Sequence, residues 1–297
     1  MKHAGAGRLQ RVYVEITNRC NLRCDFCAGT RRPPDSMDPE FFGRVMEQVA
    51  PLTSQVCLHV LGEPLLHPRF PAILDHCARA GVGVNLTTNG TLLPGRMDDL
   101  LKAAALRQVN FSLQALRRAD GLDESALGAI LDFTGQAART RPEVYVNLRL
   151  WTLESLQTPS DDAFNALALG RIAAALGRDI PPLPRGRKSV RLSGRVYLHL
   201  DTVFAWPGDL TTEARERGFC HALSTHCAIL VDGTVCPCCL DADGRIALGS
   251  LRQTGLREIL DSPRARAMAE GFARGRLVEE VCRHCTYCRR FKTRAQS

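Results

Sequence analysis

The chain has 297 residues, 45% of them hydrophobic and 24% charged, with a formal net charge of +8. Such a length and balance fit a globular protein with a large core, and no apolar run approaches the ~20 residues of a membrane span. Met1 to Gln10 is polar and Gly-rich without the apolar region of a signal peptide, so the expected location is the reducing cytoplasm. There the thirteen cysteines read as metal ligands or catalysts rather than disulfides.

The first strand is expected in the alternation Val12-Tyr13-Val14-Glu15-Ile16, which leads straight into Cys20-Asn21-Leu22-Arg23-Cys24-Asp25-Phe26-Cys27. Thiolates hold iron–sulfur clusters, and clusters normally take four. A C-x-x-x-C-x-x-C set with no nearby fourth cysteine leaves one iron open, which suits chemistry better than electron storage. Arg31-Arg32-Pro33-Pro34 breaks the chain, and Asp38 caps a helix with Pro39 at its first position and Phe41, Phe42, Val45, Met46 and Val49 at helical spacing. Strands follow at Val56–Val60, Val82–Leu86, Val109–Leu113 and Val144–Leu150. Helices alternate with them at Pro71–Ala80, Met97–Leu106, from about Glu124 to Ala138, and from about Asp161 to Leu176. That alternation implies β-α units and a parallel sheet. After a Pro- and Arg-rich loop at 181–187, Val196–Leu200 makes a sixth strand. Six units suit an open, partial (β/α)6 barrel. Near Thr211 cysteines become dense and short hairpins are expected around Asp232-Gly233 and Asp243-Gly244. The expected division is therefore 1–210 and 211–297.

In parallel β-α folds the active groups lie after the C-terminal ends of strands. Leu61-Gly62-Glu63-Pro64 follows the second strand, where Gly62 allows close backbone approach and Glu63 could hold an amine. Thr88-Asn89-Gly90-Thr91 follows the third, Ser112-Leu113-Gln114 ends the fourth, and Asn147 and Arg149 lie on the fifth. Each alone reads as a turn or an ion-pair residue; their order on successive strand ends is the signal.

That order, with the cysteine loop, resembles the radical S-adenosylmethionine (SAM) superfamily over about residues 10–200. The resemblance implies that Cys20, Cys24 and Cys27 ligate a 4Fe–4S cluster whose open iron binds SAM, and that Phe26 lies near the adenine. It places Glu63 at the SAM amine, Asn89 and Ser112 at ribose or methionyl contacts, and Arg149 at the SAM carboxylate. Leu61 stands where Gly is usual, and Gln114 where Asp is common. The chemistry implied is reductive cleavage of SAM to a 5′-deoxyadenosyl radical that abstracts a substrate hydrogen.

Downstream, Cys220, Gly233 and Cys238 form C-x12-G-x4-C, and Cys282-x-x-Cys285 follows. Four thiolates could bind zinc or an iron–sulfur cluster. The run resembles the SPASM/twitch extension of radical SAM enzymes, and the resemblance makes Cys220, Cys238, Cys282 and Cys285 ligands of one auxiliary 4Fe–4S cluster. Cys57 and Cys77 read as buried small hydrophobes. Cys227, Cys236, Cys239 and Cys288 are left as spare thiols with three open roles: replacing an assigned ligand, holding a second cluster, or returning a hydrogen atom to a substrate radical, with Cys239 the first choice for that catalytic role.

Twitch enzymes of this size resemble the butirosin-pathway dehydrogenase and neomycin C epimerase. The leading expectation is therefore epimerisation or dehydrogenation at a carbinol carbon of an aminoglycoside- or aminocyclitol-type carbohydrate, with an external donor such as flavodoxin or ferredoxin. The basic charge argues against a polycationic substrate unless a local acidic pocket overrides it. A ribosomal-peptide maturase is one alternative; the early start of the first strand, about Arg11, leaves no room for the peptide-binding domain many of them carry. A zinc-stabilised nucleic-acid module is the other. At 6% aromatic content the Arg-rich C-terminal stretch lacks the interleaved rings of a single-strand platform, and neither membrane nor nucleic acid is expected as a partner.

Overall fold

The computed structural model describes residues 8–153, 163–180, 188–202, 206–207, 210 and 212–291. They fall into two compact units, Met1–Gly83 with Phe204–Ser297, and Val84–Val203. The expected loop at 181–187 and the start of the expected 161–176 helix lie outside the described residues.

The first unit is built on strand β1 (Arg11–Val14). Val12, Val14 and Ile16 are fully buried on one face, while Tyr13 and Glu15 alternate onto the other. Helix α1 (Pro39–Val49) starts as its sequence dictates: the Asp38 carboxylate accepts from the Glu40 and Phe41 amides, and Pro39 opens the first turn. Phe41, Phe42, Val45, Met46 and Val49 are all buried, each contributing roughly 1.5–3 kcal/mol. Strand β2 (Gln55–Cys57) runs parallel to β1, with Val12 opposite Val56 and Tyr13 opposite Cys57. It stops short of the expected Val60, because the Leu61 amide turns to the Glu15 carboxylate. Helix α2 (Phe70–Arg79) follows.

The C-terminal part of this unit adds to the same sheet. Strand β10 (His226–Ile229) pairs in parallel with the other edge of β1, Arg11 opposite His226 and Val14 opposite Ile229. Strand β11 (Thr234–Cys236) returns antiparallel through a turn in which Gly233 takes φ +95°, a conformation that favours glycine. Strand β12 (Gly249–Ser250) pairs with β11. The expected hairpin at Asp243-Gly244 is instead a turn inside the β11–β12 connection, closed by the Gly244 amide on the Asp241 carbonyl. Helices α6 (Leu256–Leu260), α7 (Pro263–Ala273) and α8 (Glu280–His284) complete the unit.

The second unit contains β3 (Gly83–Thr88), α3 (Met97–Lys102), β4 (Leu106–Ser112), a small hairpin of β5 (Arg117–Arg118) and β6 (Gly121–Leu122), α4 (Glu124–Thr140), β7 (Tyr145–Leu153), α5 (Ala163–Leu176), β8 (Ser189–Ser193) and β9 (Val196–Thr202). Strands β3, β4, β7 and β9 are parallel neighbours in that order, with β8 antiparallel at the edge. The sequence reading assigns no strand at β8. Only Leu192 on it is buried, so an edge position hides the alternation a half-buried strand would show. Among the described residues no helix is long and apolar enough to cross a membrane.

Candidate functional site

The cysteine loop is pinned at its base. Thr17 Oγ1 donates to Asp35 O at 2.7 Å, Asn18 Nδ2 donates to Pro33 O at 2.8 Å, and the Asp35 amide returns to Asn18 Oδ1 at 2.7 Å. Between these anchors Cys20 and Cys27 are exposed and Cys24 is half-buried. The Leu22 amide points at Cys20 Sγ and the Gly29 amide at Cys27 Sγ, each at 3.5 Å, a polarity that suits a thiolate. None of the thirteen cysteines is in a disulfide. Among the described residues no three His, Cys, Asp or Glu side chains converge as a single metal ion would need. Cluster thiolates each take a separate iron, so a spread set is what a cluster uses.

The Gly-Glu-Pro loop lies directly on this loop's entry. Gly62 has φ +77°, and a Cβ there would fall onto the carbonyls of Thr17 and Arg19; the Glu63 amide bonds Arg19 O at 2.8 Å. Glu63 is buried, caps its own turn by accepting from the Leu65 amide at 3.0 Å, and lies within electrostatic reach of Cys20. Although the residue as a whole is exposed, partial desolvation of its sulfur pushes the Cys20 thiol up, with Glu63 and Cys27 adding to it.

Two residues missed by sequence reasoning organise the exit. Glu15 is fully buried and its carboxylate collects three donors: Arg32 Nη2 at 2.7 Å, the Leu61 amide at 3.3 Å and the Val231 amide at 3.0 Å. Arg32 also donates from Nε to Ala242 O at 2.9 Å, while Thr30 Oγ1 and the Arg31 amide both bond Asp243 Oδ1. The end of the cysteine loop is thereby tied to the chain just beyond Cys238 and Cys239. A carboxylate in the middle of an apolar strand was the available signal, since such a group must find partners when buried.

In the second unit Asn89 is buried and its Oδ1 accepts from Thr91 N and Oγ1, at 2.9 and 2.6 Å, so part of its work is to close its own turn. Ser112 on β4, Arg149 on β7 and His199 on β9 share one register row. The Arg149 guanidinium lies 4.9 Å from the Trp151 ring centre. The adjacent row is a ladder of amides. Asn110 Nδ2 donates to Leu86 O, its Oδ1 accepts from Gln108 and Asn147, and Asn147 Oδ1 meets His199 Nε2 at 3.0 Å.

The structure sorts the downstream thiols. Cys220, Cys238, Cys282 and Cys285 pack against one apolar cluster with Met268, Phe272 and Leu277; Cys238 feels Cys239 first and then Cys220 and Cys282, while Cys282 feels Cys220 and Cys285. Burial pushes Cys220, Cys238 and Cys282 up; Cys285 is held down, first through its hydrogen bonding with Cys288 and then by the neighbouring Tyr287 amide and Arg289. Four soft donors packed against one apolar cluster are of the kind an iron–sulfur cluster takes, its irons displacing the thiol protons. Cys288 is buried in the same cluster, its Sγ donating to Cys285 O at 3.1 Å. Cys227 and Cys236 are fully buried in the core, and Cys236 is hydrogen-bonded to Asp241. Cys239, like Trp206 and Tyr13, packs against the buried cluster of Val60, Leu61, Ala228 and Leu230, and burial pushes it up to about 12. The Trp206 indole donates to Phe26 O at 3.0 Å, back in the cysteine loop.

Comparisons with known proteins agree with this picture. The radical SAM superfamily profile matches residues 14–147, and the SPASM iron–sulfur cluster-binding domain matches 220–286. A cofactor-modifying protein for the tungsten-containing aldehyde ferredoxin oxidoreductase of Pyrococcus furiosus is 32% identical over 127 residues, covering 41% of this chain and 35% of that protein. The chain thus spans about a third of the length of the curated relatives it matches. Among solved structures, BtrN in complex with AdoMet and 2-DOIA aligns with TM-score 0.59 at 16% identity, over 94% of this chain and 93% of that one. Streptococcus suis SuiB bound to the precursor peptide SuiA aligns with TM-score 0.60 at 14% identity, over 88% and 67%. These likenesses show the fold, the α/β class with a parallel sheet expected from the sequence. Residues 14–147 thus form a radical SAM domain and residues 220–286 a SPASM iron–sulfur cluster-binding domain, and the cofactors these domains imply are SAM and 4Fe–4S clusters.

Proposed function

We propose that this radical SAM enzyme inverts a carbinol carbon of a polyhydroxylated, aminocyclitol- or aminoglycoside-type carbohydrate, with dehydrogenation the related outcome where no hydrogen atom is returned. In this reading residues 1–210 carry the SAM chemistry and 211–297 the auxiliary cluster. Cys20, Cys24 and Cys27 hold the SAM-binding cluster, with Phe26, Glu63, Asn89, Ser112 and Arg149 as SAM contacts; Cys220, Cys238, Cys282 and Cys285 hold the other. When bound, the reduced cluster and SAM supply one-electron chemistry that removes a hydrogen atom from a substrate C–H. An external flavodoxin- or ferredoxin-type protein provides the electron.

The observation that carries the reading is Cys239. Although close enough to Cys238 to raise its pKa, it packs against a different apolar cluster, which supports a role other than ligation. The likeness to SuiB bound to its precursor peptide supports peptide modification as a second reading.

The test incubates anaerobically reconstituted enzyme, SAM and dithionite with myo-inositol, 2-deoxystreptamine, neamine and neomycin C, protiated and deuterated. The expected result is 5′-deoxyadenosine that rises with one of these probes and carries its deuterium. No probe-dependent rise sinks the carbohydrate reading; a rise with a precursor-like peptide instead would establish the second.

A further inference from the structure

The ion pair of Arg32 with Glu15 is a poor way to stabilise a fold. The Glu15 side chain is fully buried and that of Arg32 only 14% exposed. Taking two charges out of water costs as much as their attraction returns unless every donor is satisfied, and Arg32 Nη1 is buried with no partner among the described residues. What the guanidinium achieves is direction. Nη2 donates to Glu15 at 2.7 Å, at the end of β1, and Nε donates to Ala242 O at 2.9 Å. A planar fork fixes two segments against each other as a lysine ammonium cannot.

The segment it reaches is a tied turn. Asp241 is buried, and its carboxylate accepts from the Arg245 and Ile246 amides at 2.9 and 2.8 Å. The Asp241 amide bonds Cys238 O, and the Asp241 carbonyl accepts from the Gly244 amide. Ile246 belongs to the apolar cluster against which Cys220, Cys238, Cys282 and Cys285 pack. On the same turn, Asp243 Oδ1 takes Thr30 Oγ1 at 3.0 Å and the Arg31 amide at 3.1 Å. Thr30, Arg31 and Arg32, at the exit of the cysteine loop, therefore grip one turn, and that turn is continuous with an assigned auxiliary ligand.

We propose that Arg32 is a positioning residue for SAM binding: it locks the exit of the cysteine loop to the turn beyond Cys238, so that an occupied auxiliary site strengthens SAM binding at the other. The inference rests on the ligand assignments above and not on the choice of substrate. The entry of the loop is anchored separately, by Thr17 and Asn18 on Asp35 and Pro33. Only the exit depends on the turn, and with it the placing of Cys27 against Cys20. A connection of this kind is reciprocal, since whatever one site gains from the other's order it returns.

The test measures equilibrium SAM affinity by calorimetry, iron content and the urea midpoint on the full-length, anaerobically reconstituted enzyme. It compares wild type, Glu15→Gln/Arg32→Met, Cys282→Ser/Cys285→Ser and the combination of the two. Glu15→Gln/Arg32→Met leaves no buried charge unpaired, so it is expected to fold with a urea midpoint near wild type and to keep about eight irons per chain. Its SAM affinity is expected to fall about tenfold, and that of the auxiliary-site variant by a similar factor. The combination is expected to lose little more than either alone, because both act through one connection. Wild-type affinity in Glu15→Gln/Arg32→Met overturns the proposal. Losses that multiply in the combination overturn it too, since they would mark two independent structural effects. Asp243→Ala is half-buried and keeps the Glu15–Arg32 pair, which covers the case of a clamp variant that does not fold. It releases Thr30 and Arg31 and is expected to weaken SAM with iron unchanged; wild-type affinity there overturns the proposal. A wild type that takes up iron but binds no SAM would overturn the ligand assignments and the clamp with them, an outcome distinct from a defect confined to the variants.

Discussion

At the scale of single residues, one backbone carbonyl decides the proton on His199. Leu86 O takes the Asn110 Nδ2 hydrogen, which fixes Asn110 Oδ1 as the acceptor. Asn147 must then offer its Nδ2 there, and its Oδ1 is left to accept from His199. The imidazole is consequently the Nε2–H tautomer, with Nδ1 the acceptor. Burial first, and the Arg149 charge second, push its pKa down from 6.5. The neutral ring therefore persists below the pH at which an ordinary histidine protonates. Because the unfolded chain binds that proton more readily, the group costs stability as pH falls through and below about 6.5. An NMR titration of His199 is expected to give a midpoint under 6.5 in the native enzyme, and Arg149→Met is expected to move it upward. A midpoint at or above 6.5 would contradict the burial argument, and no movement in the variant would remove Arg149 as a cause. Ser112 and Arg149 were legible as strand-end groups. His199 was not, because its place beside them comes from the β7–β9 register and not from any local motif.

At the scale of elements, the cysteine loop is held by a neighbour that only glycine permits. Gly62 and Gly29 both adopt positive φ, +77° and +63°, yet a Cβ at Gly29 meets nothing within 4 Å while one at Gly62 strikes the Thr17 and Arg19 carbonyls. Gly29→Ala is expected to lose only the left-handed penalty, about 1–2 kcal/mol. Gly62→Ala must also displace the loop's entry, so it is expected to lose more in urea unfolding of the cluster-free protein, and to retain less iron at Cys20, Cys24 and Cys27 after reconstitution. Equal losses for the two would show that the contact of the two loops is slack. The Gly-Glu-Pro signal was readable because it is local, as was α1 through Asp38 and Pro39. The pairing of β10 with β1 was not readable. His226–Ile229 is a short apolar run whose partner lies more than two hundred residues earlier, and nothing in four residues specifies a register that distant.

At the scale of the whole molecule, the fold separates thiols that the sequence sets side by side. Cys236, Cys238 and Cys239 fall within four positions, and spacing alone cannot say which of them faces a cluster. Strand β11 buries Cys236 against Asp241, and the chain beyond it sends Cys238 to the apolar cluster of the other assigned ligands and Cys239 to the one against which Tyr13 and Trp206 pack. Iron content tests that sorting. Two clusters require about eight irons per chain. A Cys282→Ser/Cys285→Ser double variant is expected to retain about half of that iron, and Cys24→Ala the complementary half, each with the matching loss of brown absorbance. Cys239→Ser is expected to keep the full complement, because Cys239 packs against a different apolar cluster from the four assigned ligands. Loss of half the iron in Cys239→Ser would place that thiol on the auxiliary cluster and remove it as a hydrogen donor. Retention of iron in the double variant would instead put Cys288, already buried among the same ligands, in the place of one of them.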